Sequence, residues 1–279
     1  MIYNIKRRKF IQLFTGGCCG LILPSCSTVP ITKRRQLSIY PEGSINNSAS
    51  KAYENFKTKN KLIIKDKRLT TIKEIGRRIE FAVSSFFLKE DGTDPTSHFQ
   101  WDYILVDNDK VKNAWCMPGG KIAIYTGMLK ITQNDDALAA VMGHEIAHAV
   151  AKHSVERASQ ALTVNIGTQV ADIFLGGAIN RTRSTVGQAS GMDILKLGIF
   201  NPFGRKQETE ADYLGLIFSS LAGYDIREAA KLWGRMLESN KGKEPPQFLS
   251  THPSSKNRII NLNKWVTDVI VKYPPIKRI

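Results

Sequence analysis

Cysteine is scarce in this sequence: four residues in 279, at positions 18, 19, 26 and 116, too few to staple a chain of this length, so a disulfide scaffold is excluded. Long apolar runs are missing as well. The charge-free apolar stretch near the start, Phe10 to Leu23, falls short of the roughly 20 residues that a spanning helix needs, which excludes a multi-span membrane protein. Acidic residues are outnumbered, 25 Asp and Glu against 40 Lys and Arg, for a formal charge of +15. Such an excess invites a nucleic-acid partner, but no zinc knuckle, RNP-type aromatic motif or helix-turn-helix pattern accompanies it, and none is expected. Internal repeats are not visible either. What is there, 42% hydrophobic and 23% charged, is an ordinary globular composition long enough to bury a substantial core.

Lys6, Arg7, Arg8 and Lys9 precede the short apolar run and Leu23-Pro24-Ser25-Cys26 closes it, the layout of a secretory signal peptide. Leu, then a small Ser, then Cys resemble the bacterial lipobox. Residues 1–25 are therefore expected to be a lipoprotein signal, with Cys26 acylated as the membrane anchor. Ser27 in place of Asp then implies an outer-membrane, periplasm-facing protein of the cell envelope, and Arg7-Arg8-Lys9-Phe10-Ile11 also resembles a twin-arginine signal. Residues 31–68 carry ten bases against Glu42, Glu54 and Asp66, which suits a solvated basic tether or an anionic bilayer surface. Cys116 is then left alone, and reads as a small packed residue of a strand.

The organisation expected is a tether and short helix over 26–65, then one folded domain over 66–279. Ile72, Ile75, Ile79, Ala82 and Phe86 recur at helical spacing and Gly92 marks a break. Trp101 to Val106 and Val111 to Cys116 are β-prone runs flanking Asp107-Asn108-Asp109, which predicts a hairpin, and Pro118-Gly119-Gly120 leads into a third run, Lys121 to Thr126. Asp135 or Asp136 is positioned to cap a helix through Ala147. The Gly-, Ser- and Thr-rich segment 180–204 has the composition of a lid, and further helices follow from about Gln207 and Ile226. The class is α+β, mainly helical with one small sheet.

His144-Glu145-Ile146-Ala147-His148 lies inside the strongest helical pattern. At 3.6 residues per turn the two histidines stand one above the other, so two imidazoles can meet one ion while Glu145 projects beside them as a base for a water. Apolar neighbours wrap this turn, and a buried unpaired imidazole pair would be costly unless it bound something; Zn²⁺ is the expected cofactor. Downstream, Glu208 and Asp212 are one turn apart on one helix face while Glu210 points roughly the opposite way. Glu208 is the expected third ligand and Asp212 the residue that holds a ligand histidine's free ring N–H. His153, about 140° round the helix from His148, is expected to be structural or to support a ligand, without being one.

These motifs resemble a known family. His144 to His148, then Arg205 through Asp212, are similar to the CAAX-prenyl-protease and HtpX-like zinc metallopeptidases of the gluzincin type. The similarity extends to Asn113-Ala114-Trp115 with Pro118-Gly119-Gly120, to Tyr125-Thr126-Gly127, to Thr251-His252-Pro253 and to Arg258. It is greatest to the single-domain periplasmic lipoprotein branch of BepA-like and LoiP-like proteases. Gly204 departs from the Ser that many relatives carry, and no tetratricopeptide repeats follow. The resemblance implies a zincin-like domain whose sheet borders the cleft, and a zinc endopeptidase acting on misfolded or misassembled envelope polypeptides with Glu145 as general base. It also implies that Asn113 and Ala114 lie on the cleft's edge strand, where an extended substrate pairs by strand addition. His252 is implied to stand near the zinc, to stabilise the oxyanion or to occupy the open metal position in a closed state; Arg258 is a candidate for either the developing charge or a structural role. The rival readings are an envelope assembly or chaperone-like factor with latent protease activity, and a cell-wall amidase. Glu145 argues for catalysis, since a pure binder needs no general base.

Overall fold

The computed structural model describes residues 26–174, 203–239, 247–252 and 256–276. The expected signal (1–25) and nearly all of the lid segment (180–204) lie outside the described residues. Strands β1 (Cys26–Thr28) and β2 (Arg35–Leu37) form an antiparallel hairpin, followed by helix α1 (Glu42–Lys59), the short strand β3 (Leu62–Ile63) and helix α2 (Lys67–Asp91). The segment 26–65 is thus more than a tether and a short helix. Val29 and Tyr53 are fully buried, and β3 pairs with β4 (Asp102–Val106) in the main sheet.

That sheet has the order β3-β4-β6-β5, with β5 (Ala114–Met117) at one edge and β6 (Lys121–Tyr125) inside. The hairpin expected across Asp107-Asn108-Asp109 does not form. Strand β6 lies between β4 and β5 instead, parallel to β4 with Tyr103 opposite Ile122, and antiparallel to β5 with Cys116 opposite Ile122. Gly119 and Gly120 both take positive φ, 82° and 81°, which lets Pro118-Gly119-Gly120 turn β5 tightly into β6. Strand β6 is buried throughout, as a strand paired on both sides must be, although β5 at the edge is buried as fully. Alternation then splits the side chains: Ile104, Val106, Trp115, Met117 and Ala123 pack on α1, while Leu105, Cys116, Ile122 and Ile124 pack towards the larger helical core.

The chain continues through α3 (Thr126–Thr132) into α4 (Asp135–Val150). Asn134, rather than Asp135 or Asp136, caps α4: its Oδ1 accepts from the Ala137 N–H at 2.8 Å, leaving the two aspartates in the first turn, where the helix dipole favours them. From Ala137 to Val150 every residue but Ala140 is buried, the signature of a helix at the centre of a domain. Around it stand α5 (His153–Phe174), α6 (Arg205–Leu221), α7 (Glu228–Glu238), α8 (Gln247–Thr251) and α9 (Lys256–Lys272). The result is a mainly helical α+β domain. Among the described residues no helix is long and apolar enough to cross a membrane.

Candidate metal centre

Helices α4 and α6 carry the two halves of the site, and two glycines let them meet. A Cβ on Gly143 would stand 2.5 Å from Ser219 Oγ and 2.8 Å from the Gly215 carbonyl oxygen; one on Gly215 would stand 2.8 Å from the His144 amide nitrogen. Backbone therefore packs on backbone one residue from the first histidine. The register brings Glu208 and Asp212, one turn apart on α6, opposite His144 and His148, one turn apart on α4.

His144 Nε2 and His148 Nε2 lie 3.1 Å apart, and His252 Nδ1, from just beyond α8, lies 3.2 Å from His144 Nε2. Glu208 Oε1 approaches His252 Nδ1 at 3.0 Å and His148 Nε2 at 3.5 Å, and its Oε2 is 3.7 Å from His144 Nε2. One donor atom from each of these four buried residues falls within 4.8 Å of all the others. Asp212 Oδ1 lies 3.1 Å from His144 Nδ1; a carboxylate can only accept, so this neighbour favours the tautomer with the proton on Nδ1 and a lone pair on Nε2. Lone pairs converging in an enclosed space repel unless a cation stands among them. Two imidazoles and a carboxylate, with a further imidazole beside them, are a donor set that suits zinc.

Arg258 locks the acidic half. Its Nε and Nη2 donate to Asp212 at 2.7 and 2.6 Å, its Nη1 lies 2.6 Å from Glu208 Oε2, and its guanidinium rests over the Trp233 ring at 3.7 Å. These are the contacts of a structural clamp on the two carboxylates, and they occupy the group otherwise expected to meet developing charge. Burial alone would raise the Glu208 carboxyl, but His252, His148 and Arg258 together outweigh it and hold Glu208 well below the usual range. Asp212 is also held low, Arg258 overcoming its burial. His148 is pushed well below its ordinary value by burial, against the pull of the neighbouring Glu208 carboxylate, and so is neutral as a ligand must be.

Glu145 differs from Glu208 in its surroundings. Its Oε2 accepts the Cys116 N–H at 3.3 Å, so edge strand β5 orients it, and its Oε1 is 3.3 Å from His252 Nε2. Burial raises its carboxyl, partly offset by His252 and His144. Asn113 and Ala114 sit at the start of β5 on the sheet's edge, both buried, with Asn113 Oδ1 accepting the Ala114 N–H at 3.0 Å. Cys116 is buried, its thiol pushed up by desolvation and by Glu145. His98 pairs with Glu42 at 3.0 Å and takes no part in the cluster. His153, set aside as a ligand by the angular arithmetic, lies with its Nδ1 2.8 Å from His148 Nδ1.

The Peptidase family M48 model matches residues 73–266, a stretch that contains all of these donors. The chain belongs to peptidase family M48. Zinc is the metal of this family, and the donor set fits it. It is 39% identical over 180 residues to the mitochondrial metalloendopeptidase OMA1 of Schizosaccharomyces pombe, covering 63% of this chain and 50% of that protein. It is 30% identical over 279 residues to OMA1 of Saccharomyces cerevisiae, covering 95% of this chain and 76% of that protein. A putative beta-barrel assembly-enhancing protease of Vibrio cholerae matches at 28% over 173 residues, 61% of this chain and 34% of that protein. The M48 chain thus spans about half the length of its fission-yeast relative. These likenesses correct the outer-membrane, periplasm-facing placement read from Cys26 and Ser27, because the more similar relatives are mitochondrial. That placement rests on a few N-terminal residues that lie outside the matched family segment 73–266.

Proposed function

We propose that this M48 peptidase cuts polypeptides internally, with His144, His148 and Glu208 holding the zinc, Asp212 supporting His144, and Glu145 acting as general base. The observation that carries this is the convergence of the His144, His148 and Glu208 donor atoms beside Glu145. A zinc ion there supplies a Lewis acid that polarises a peptide carbonyl and makes water a stronger nucleophile. Glu145, raised by burial and aimed by the Cys116 amide, takes the proton of the attacking water and later delivers it to the leaving amine nitrogen. Asp212 and Arg258 keep the ligands in place while this happens. The outer edge of β5, with Asn113 and Ala114, is the stretch along which an extended substrate would pair.

His252 serves the closed form. Its ring touches both Glu145 and Glu208, at 3.3 and 3.0 Å, and so occupies the approach to the base. This supports a latent peptidase that opens when α8 withdraws His252. It accords with substrates that must be offered as unfolded or misassembled segments, and relatives named as beta-barrel assembly-enhancing proteases fit the same picture. Acylation of Cys26 is supported by the apolar run ahead of it and by the exposure of its thiol at the head of β1; an N-terminal peptide of unmodified mass contradicts it. The reading is tested by casein digestion with and without chelator, using Glu145→Gln as control. Activity abolished by chelator, restored by zinc and absent in Glu145→Gln is expected. An active Glu145→Gln enzyme overturns the assignment.

A further inference from the structure

Behind His148, on the side away from Glu208, runs a line of buried polar groups that the catalytic steps leave unused. His153 is fully buried and follows α4 immediately in space, because Lys152 takes φ 56° and breaks the helix between them. Its Nδ1 is 2.8 Å from His148 Nδ1 and its Nε2 is 3.0 Å from Glu210 Oε2. Glu210 in turn accepts from Arg34 Nε at 2.8 Å and from the Thr32 hydroxyl. Arg34 also grips Glu156 with both terminal nitrogens, at 2.7 and 2.9 Å, and Gln207 donates to that same carboxylate at 2.8 Å.

The proton positions along this line follow from what each group can do. A carboxylate only accepts, so His153 Nε2 carries the proton facing Glu210. Two ring nitrogens at 2.8 Å share one proton between them. With His153 already donating from Nε2, its neutral ring offers a bare Nδ1, and the shared proton belongs to His148 Nδ1. His148 Nε2 is then the lone pair that faces His144 and Glu208. Glu210 and His153 together do for His148 what Asp212 alone does for His144 at 3.1 Å.

We propose that His153 is a positioning residue for the metal centre, held by Glu210 and, through it, by Thr32 and Arg34 of the N-terminal β1–β2 hairpin. The hairpin thereby becomes a working part of the site, although Thr32 and Arg34 lie outside the matched family segment 73–266. The proposal rests on the zinc reading, and a wild-type protein that binds no zinc would defeat that reading and not this one in particular.

The test is zinc affinity of the full chain, by competition with a chromophoric chelator, with ring ¹⁵N spectra of the zinc-loaded protein. His153→Phe, which fills the same space without an acceptor, should weaken zinc binding by about 10- to 100-fold, the usual cost of losing a group that supports a ligand histidine. His153→Asn, whose Oδ1 stands near the former Nδ1, should recover most of that loss, which a role in packing alone would not produce. Glu210→Gln and Arg34→Ala should weaken binding in the same direction, Arg34→Ala least, and neither alters the volume beside His148. The wild-type His148 ring should carry its proton on Nδ1. Unchanged zinc affinity in Glu210→Gln and His153→Phe, or an Asn variant no better than Phe, overturns the proposal.

Discussion

Gly215 stands so close to His144 that a methyl group on it would lie 2.8 Å from the His144 amide nitrogen. The distance between His144 and His148 and their carboxylate neighbour Glu208 is therefore set by the absence of a side chain, about two turns along α6 from Glu208. Gly215→Ala should force α4 and α6 apart, destabilise the fold by about 1–3 kcal/mol, as overpacking does, and weaken zinc binding as Glu208 withdraws. Denaturant unfolding and a chelator competition check the two effects. A variant with wild-type stability and wild-type affinity would show that the helices have slack.

His252 contacts the general base and the acidic ligand together. If it guards the closed form, His252→Ala should raise the rate of peptide hydrolysis in the zinc-loaded enzyme, measured with a quenched fluorescent peptide. A fall of about 100-fold would instead mark it as an oxyanion donor of the kind whose removal costs that much.

Tyr53 makes the N-terminal segment integral to the domain. It is fully buried, with its ring 6.1 Å from that of Trp115 in an edge-to-face contact, and Phe56 adds a second such contact at 5.0 Å. Tyr53→Ala should cost about 3–5 kcal/mol, the range for emptying a buried aromatic site, read by urea unfolding. A loss under about 0.5 kcal/mol, ordinary for a surface change, would make residues 42–59 a mere appendage.

Asp66 ties stability to pH at the start of α2. The side chain and the backbone N–H of Arg68 hydrogen-bond its carboxylate and lower its pKa from 3.8 to about 2. A depressed folded-state value favours the native state above the unfolded value and loses that advantage as acid titrates the folded group. The melting-temperature advantage of wild type over Asp66→Ala should therefore be constant near neutrality and shrink between about pH 4 and pH 2. An advantage independent of pH across that window would mean that the cap does not depend on charge.

How much of this was legible in the sequence follows from the range of each contact. His144, Glu145 and His148 declare themselves, because helical periodicity alone puts them together. Glu208 and Asp212 were readable as a pair on one face, but their meeting with the histidines depends on Gly143 and Gly215, which no spacing rule singles out. His252 and Arg258 came through family resemblance; they lie 108 residues beyond His144 and 46 beyond Asp212. His153 was placed by treating the helix as continuous, and the left-handed Lys152 spoils that arithmetic. Glu210 does point away from the His144, His148 and Glu208 cluster, as its spacing indicates, yet it is bound on that far side to His153, Thr32 and Arg34. Arg34 itself was counted among solvated bases, because nothing local distinguishes it from its neighbours. The sheet order is hidden for a similar reason: adjacent β-prone runs suggest a hairpin, and nothing local to β5 or β6, both buried throughout, says which of them pairs with β4.

The account stands or falls on Glu208 joining two histidines around one ion. Zinc content by elemental analysis, in wild type and Glu208→Gln purified side by side and offered equal zinc, tests that most directly. One zinc per wild-type chain and little in the variant is the result expected. A metal-free wild type, or a variant that retains its zinc as tightly, would contradict it.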